Sequence, residues 1–199
     1  MKNKNIHPIS DRLIARTEKE KLLGSKGTVF WLYGLSGSGK STMALKMEKR
    51  LHEKGIHSVV LDGDNLRSGL NQDLSFSEND RRENIRRVSE VAKILSENGI
   101  IVFVSLITPL RAFRQNARTI IGDHYFQEVF VKASFNTCQE RDVKGLYAKA
   151  SDGLVPSFTG QGSDFEEPVD QQFIIDSEKE SEDISSDKLF QFVLDSISL

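Results

Sequence analysis

Thr28-Val29-Phe30-Trp31-Leu32-Tyr33-Gly34-Leu35-Ser36-Gly37-Ser38-Gly39-Lys40-Ser41 decides the fold. The first six residues are rich in β-formers and stop abruptly at Gly34, as a buried strand does. The next eight match the G-x-x-x-x-G-K-[ST] phosphate-loop pattern, Walker A. Behind them, Met43, Ala44, Met47 and Leu51 recur at helical spacing over 40–54, and Gly55 supplies a stop. Strand, glycine loop and helix in that order are what the motif needs. The glycines let backbone N–H groups curl around phosphate oxygens, and the helix N-terminus adds a favourable dipole. Lys40 is expected to reach the β and γ phosphates of ATP and Ser41 to ligate magnesium. The ATP cradle is therefore Gly34, Leu35, Ser36, Gly37, Ser38, Gly39, Lys40, Ser41 and the adjoining Thr42.

Outward from the loop, strands alternate with helices. Ser58 to Leu61 predicts a second strand ending at Asp62-Gly63-Asp64-Asn65, and the following stretch is loop-like until Ser77. Ser77 with Asp80 resembles a capping box, and Ile85, Val88, Ala92 and Leu95 mark one helical face up to Gly99. Residues 100–106 form an apolar run of the kind buried on both faces of a parallel sheet. Pro109 separates it from an arginine-rich helix ending near Gly122. Strands at 126–131 and 173–175 and a closing helix through Leu189, Phe190, Val193, Leu194 and Ile197 complete the set. The prediction is an α/β fold of three layers, with five parallel strands covered by helices on both faces and ligands beyond the strands' carboxyl ends. Residues 1–27 are expected to be an N-terminal arm and 28–199 the catalytic domain; poorly periodic residues around 151–171 suggest a mobile lid.

Composition narrows the function. The 199 residues suffice for one ordinary domain, and a formal charge of −2 offers no field for a nucleic-acid backbone or acidic membrane. A single cysteine, Cys138, excludes an internal disulfide and suits a reducing compartment, so a cytoplasmic protein is expected. No apolar run approaches membrane-spanning length, and residues 1–5 are not followed by a signal-peptide core. Four histidines, His7, His52, His57 and His124, show no metal-ligand spacing.

The chemistry falls at the predicted strand ends. Asp62 and Asp64 place two carboxylates near the γ-phosphate, where magnesium binding or removal of an acceptor proton is useful, although Asp-Gly-Asp is also ordinary turn composition. Arg67, Arg81, Arg82, Arg86 and Arg87 cluster around the capped helix, and arginine suits bidentate contact with phosphate or sulfate. Asp80 and Glu83 offer some of them surface partners at helical spacing, which leaves Arg67 and Arg81 as the functional choices.

At Leu61-Asp62-Gly63-Asp64-Asn65-Leu66-Arg67, then Phe76-Ser77, then Asp80-Arg81-Arg82-Glu83-Asn84-Ile85-Arg86-Arg87, the chain resembles the adenylylsulfate kinases. The resemblance extends over 30–42, 61–92, 104–118, 141–150 and 158–160, most of residues 28–168. It implies a P-loop kinase that transfers the ATP γ-phosphoryl group to the 3'-hydroxyl of adenosine 5'-phosphosulfate, giving PAPS and ADP in sulfate assimilation or activation. It also implies Mg2+ and a homodimer. Asp64 would assist the acceptor hydroxyl, Arg67, Arg81 and Asn84 would hold the phosphosulfate, and Phe76 and Phe158 would sandwich its adenine. Ile107 joins the substrate contacts. Arg141-Asp142-Val143-Lys144-Gly145-Leu146-Tyr147 resembles the family's lid, here bounded as 141–168, with Lys144 and Leu146 near the substrates and Arg141 near the ATP base or phosphates.

The chain also departs from the family. Where some members form a phosphoserine, this chain has Thr108, so direct in-line transfer is favoured, with Thr108 kept as a candidate site residue. Pro156-Ser157 replaces a lysine-asparagine pair before Phe-Thr-Gly, Gln161 an isoleucine after it, and Tyr33 a threonine before the loop. Two other readings stay open: a kinase for another small nucleotide-like acceptor, and a nucleotide-dependent switch, although no Asn-Lys-x-Asp guanine-reading segment is present.

Overall fold

The computed structural model describes residues 5–151, 159–160, 164–169 and 173–199. Five parallel strands form one sheet: β1 (Val29–Tyr33), β2 (Ser58–Asp62), β3 (Ile101–Ser105), β4 (Phe126–Lys132) and β5 (Phe173–Asp176), in the order β2-β3-β1-β4-β5. β1 and β3 are buried at every residue, which explains why both read as unbroken apolar runs rather than alternating ones. They pair in register from Val29 opposite Val102 to Leu32 opposite Ser105.

Each face of the sheet carries its own apolar layer. On one face α4 (Glu78–Glu97) and α5 (Arg111–Ile121) lay Ile85, Val88, Ala92, Phe113 and Ala117 against Val29, Trp31 and Val104. On the other, α2 (Lys40–Glu53) and α8 (Glu182–Ile197) bring Met43, Met47, Leu189 and Val193 onto Phe30, Leu32 and Phe103. Phe30 stacks on Phe103 across the strands at 5.3 Å between ring centroids. α4 begins as its sequence predicts: Ser77 Oγ accepts from the Asp80 amide at 3.2 Å, and the Asp80 carboxylate accepts from Ser77 Oγ at 2.8 Å.

Four helices lie where no helical period was legible: α1 (Arg16–Leu23), α3 (Gly63–Arg67), α6 (Phe135–Arg141) and α7 (Leu146–Ser151). α3 replaces the start of the expected 65–76 loop and is capped by Asp62, whose Oδ1 accepts from the Asp64 amide at 3.0 Å. α1, within the segment expected to be an arm, docks at the amino ends of the strands, away from the phosphate loop. Its buried Glu20 accepts from the Gly27 amide at 3.0 Å, and the Arg16 guanidinium lies over the Tyr125 ring. Among the described residues no helix is long and apolar enough to cross a membrane.

Leu189 is wholly buried between α8 and the sheet. Leu189→Ala is expected to cost about 2–5 kcal/mol, read as a lowered urea midpoint with an unchanged slope; a loss below about 0.5 kcal/mol would show that α8 does not complete this core layer.

Candidate active site

β1 runs directly into the glycine loop, and the close approach of neighbouring chain explains the residue types. Gly34 has φ +149°, and a Cβ there would lie 2.3 Å from the Val131 carbonyl oxygen of β4. Gly37 sits at φ +80°, with the Cys138 carbonyl 3.2 Å from where its Cβ would be. The loop is held from outside as well. The Ile107 carbonyl accepts from the Gly34 amide at 3.3 Å, and the buried Tyr147 phenol donates to the Ser36 carbonyl at 2.7 Å. Ser38 Oγ is buried in the loop and meets no hydrogen-bond partner among the described residues, a polar atom suited to an incoming phosphate oxygen.

Lys40 begins α2 but folds back, its Nζ donating to the Leu35 carbonyl at 2.7 Å. Burial, helped by the nearby Lys144 charge, lowers its pKa to about 8. Ser41 Oγ donates to Asp62 Oδ2 at 2.7 Å and lies 3.1 Å from Ser105 Oγ, so oxygen donors from α2, β2 and β3 converge. Burial opposes ionisation of Asp62, but hydrogen bonds from Ser41, Asp64 and Asn65 and the charge of Lys144 outweigh it. Its carboxyl is held below the usual range. A set of hard oxygens without nitrogen or sulfur fits Mg2+ in ligand chemistry.

The strand order divides what lies beyond the loop. A cavity of ≈ 1110 Å³ runs along the carboxyl edge of the sheet with β1 at its middle. Over β2 and β3 stand Asp62, Asp64, Arg67, Phe76, Arg81, Asn84 and the turn 107–109. Arg67 NH1 donates to the carbonyls of Leu74 at 3.2 Å and Ser75 at 2.9 Å, and its guanidinium lies 4.2 Å from the Phe76 ring centroid. Phe76 is 59% exposed, an apolar face open to the cavity. Arg81 donates to the Phe76 carbonyl at 2.9 Å and to Thr159 Oγ1 at 2.8 Å. Buried Asn84 accepts from Asn71 Nδ2 at 2.9 Å.

Over β4 and β5 the wall is different. Arg141, at the end of α6, donates to the Gly37 carbonyl at 3.3 Å and to the Ser177 carbonyl at 2.7 Å, beside Glu180 and Ser185. The two halves meet across the cavity where Lys144, on the turn between α6 and α7, donates to Asp64 Oδ2.

The structure thus gathers Lys40, Ser41, Thr42, Asp62, Asp64, Arg67, Phe76, Arg81, Asn84, Ile107, Thr108, Arg141, Lys144 and Leu146 around one cavity. Gly34 and Leu35 support the loop from beneath; Leu35 packs with Cys138 and Tyr147. Phe158, the second expected wall of the adenine sandwich, lies outside the described residues, as do Pro156, Ser157 and Gln161. Arg86 and Arg87 take the surface role instead, both paired with Glu83. Three contributors escaped sequence reasoning: Ser105 beside Ser41, Tyr147 under Ser36, and Thr159 on Arg81. Ser105 alone had a legible signal, as the polar residue closing an apolar strand next to the one that carries the loop.

Known proteins resemble the chain over the same residues. The family model for adenylylsulphate kinase matches residues 26–176. An adenylyl-sulfate kinase of Phocaeicola vulgatus is 46% identical over 194 residues, covering 98% of this chain and 95% of the relative. A probable adenylyl-sulfate kinase of Bacillus subtilis is 43% identical over 185 residues, 93% of this chain and 94% of its own length. The Mycobacterium tuberculosis APS kinase CysC, solved in complex with AMPPNP and APS, superposes with a TM-score of 0.78 at 44% identity, covering 86% of this chain and 97% of that one. A phosphate cradle flanked by two chemically distinct walls and a match of this length place the chain in the adenylylsulfate kinase family.

Proposed function

We infer that this chain is an ATP-dependent adenylylsulfate kinase, which moves the γ-phosphoryl group of ATP to the 3'-hydroxyl of adenosine 5'-phosphosulfate and releases PAPS and ADP. The observation that carries the reading is one cavity with a triphosphate cradle at its centre and, on the β2–β3 side, a carboxylate, two arginines and an open aromatic face. A switch module has no need of that second wall.

Each residue has a task in this reading. The loop amides and Lys40 hold the β and γ phosphates, and Arg141 sits on the side left for the adenine of ATP. Asp64, whose carboxylate is exposed to the cavity, accepts the proton of the 3'-hydroxyl as its oxygen attacks the γ-phosphorus. Arg67 and Arg81 hold the phosphosulfate, and Phe76 stacks on the acceptor's adenine. Ser41 and Asp62 would hold Mg2+, which supplies charge neutralisation between the phosphates. Thr108 is 2% exposed and its Oγ1 accepts from Trp31 Nε1, which favours direct transfer over a phosphothreonine. The reading includes a lid, bounded as 141–168, and among its described residues Arg141, Lys144, Tyr147 and Thr159 bond to different parts of the site. The reading extends, on family resemblance, to a homodimer acting in the cytoplasm.

With ATP, magnesium and adenylylsulfate the protein is expected to form PAPS; folded protein that binds ATP yet yields none would overturn the reading. Lys40→Ala is expected to lower kcat by about 10²–10³-fold and Asp64→Ala by about 10²–10⁴-fold, and full turnover by either variant would remove that residue from its role.

The pKa of Lys40 sets a pH dependence. Near pH 8 the free enzyme carries Lys40 partly neutral, while bound triphosphate favours the cation, so ATP binding takes up a proton. Affinity for ATP is expected to be full below that pH and to fall as pH rises through it. Titration calorimetry in two buffers of different ionisation enthalpy measures the uptake, and Lys40→Arg should abolish it. Affinity that stays flat between about pH 7 and 9 would mean that Lys40 is not so perturbed.

A further inference from the structure

Thr108 has φ +41°, inside the left-handed region that non-glycine residues rarely enter. A β-branched residue resists that conformation, so the surroundings must impose it. Two buried side chains do so. Trp31, in the middle of β1, donates its indole N–H to Thr108 Oγ1 at 2.9 Å. Arg114, on α5 and 3% exposed, donates from NH1 to the carbonyls of Thr108 at 2.9 Å and Pro109 at 3.2 Å.

Arg114 reaches further than the turn. Its NH2 donates to the Glu166 carbonyl at 2.8 Å, its guanidinium lies 4.5 Å from the Tyr33 ring centroid, and its Nε is 3.9 Å from Glu128. Glu166 also donates its amide to the Pro109 carbonyl at 2.9 Å. The residue before the phosphate loop, the turn 107–109 and the segment around Glu166 are thus fastened to a single guanidinium.

The turn so held forms wall. Ile107, Thr108 and Pro109 line the cavity beyond the end of β3, on the β2–β3 side assigned to the acceptor, while the Ile107 carbonyl bonds the Gly34 amide of the loop. We propose that Trp31 and Arg114, neither of which lines the cavity, are positioning residues that fix the acceptor relative to the γ-phosphate by holding the strained turn 107–109. The inference rests on the adenylylsulfate kinase reading and deepens it: misplacing this wall displaces the acceptor hydroxyl from the line of attack, while the triphosphate keeps the loop amides and Lys40, to which neither side chain bonds.

The test compares Arg114→Lys, which keeps the charge but not the fork, with Trp31→Phe, which keeps the ring but not the N–H. Steady-state kinetics of the full chain are run with each substrate varied, alongside direct ATP titration. The expected result for both variants is a KM for adenylylsulfate raised about three- to tenfold and a kcat lowered about tenfold or more, with ATP affinity within about twofold of wild type. Equal losses for ATP and acceptor, unchanged acceptor kinetics in either folded variant, or failure of both to fold would overturn the proposal. A wild-type chain that makes no PAPS would instead sink the functional reading on which it rests.

Discussion

An ammonium group is held out of water at the end of a buried strand. Lys40 lies beneath the loop it serves, bonded to the Leu35 carbonyl, and the rest of the site is arranged around keeping that charge tolerable. A buried lysine without a carboxylate partner loses its proton more readily than a solvated one. Its cationic form is most favoured when triphosphate fills the cradle. The loop is therefore incomplete by construction, a nest of donors whose acceptor arrives with the substrate. The orphaned Ser38 hydroxyl states the same condition in a second atom.

The position of that loop follows from strand order. β1 lies at the centre with β3 and β2 to one side and β4 and β5 to the other, so each neighbouring strand end supplies a different wall. Carboxylates and arginines come from β2, α3 and α4; Arg141 and Ser177 come from the β4–β5 side. A parallel sheet allows this because all of its carboxyl ends share one edge. Two nucleotides can meet there head to head over one lysine.

β1 and β3 were legible because they are buried on both faces and bounded by glycine, proline or charge, and β2, β4 and β5 because they are short runs of β-formers. The long helices α2, α4, α5 and α8 were legible because each shows enough turns for a period to appear. α3, α6 and α7 span five to seven residues and are made by contacts: the Asp62 cap, Cys138 against the loop, Tyr147 on Ser36. Of the site, the phosphate loop and the DGDN segment could be read from spacing and chemistry. The assignments of Asn84, Phe76 and Lys144 depended on family resemblance, since an isolated asparagine, phenylalanine or lysine carries no period. The left-handed Thr108 could not be read at all, because local propensity argues against it and tertiary contacts override it.

The phenol of Tyr147 reaches a carbonyl 111 residues earlier in the chain. The nucleotide signature is local, yet its scaffolding is not. A truncated fragment ending after β3 would retain every letter of that signature and lack the buttress that shapes it. During synthesis, too, the loop leaves the ribosome well before the helix that braces it, so the cradle waits for more than a hundred further residues before it can be finished.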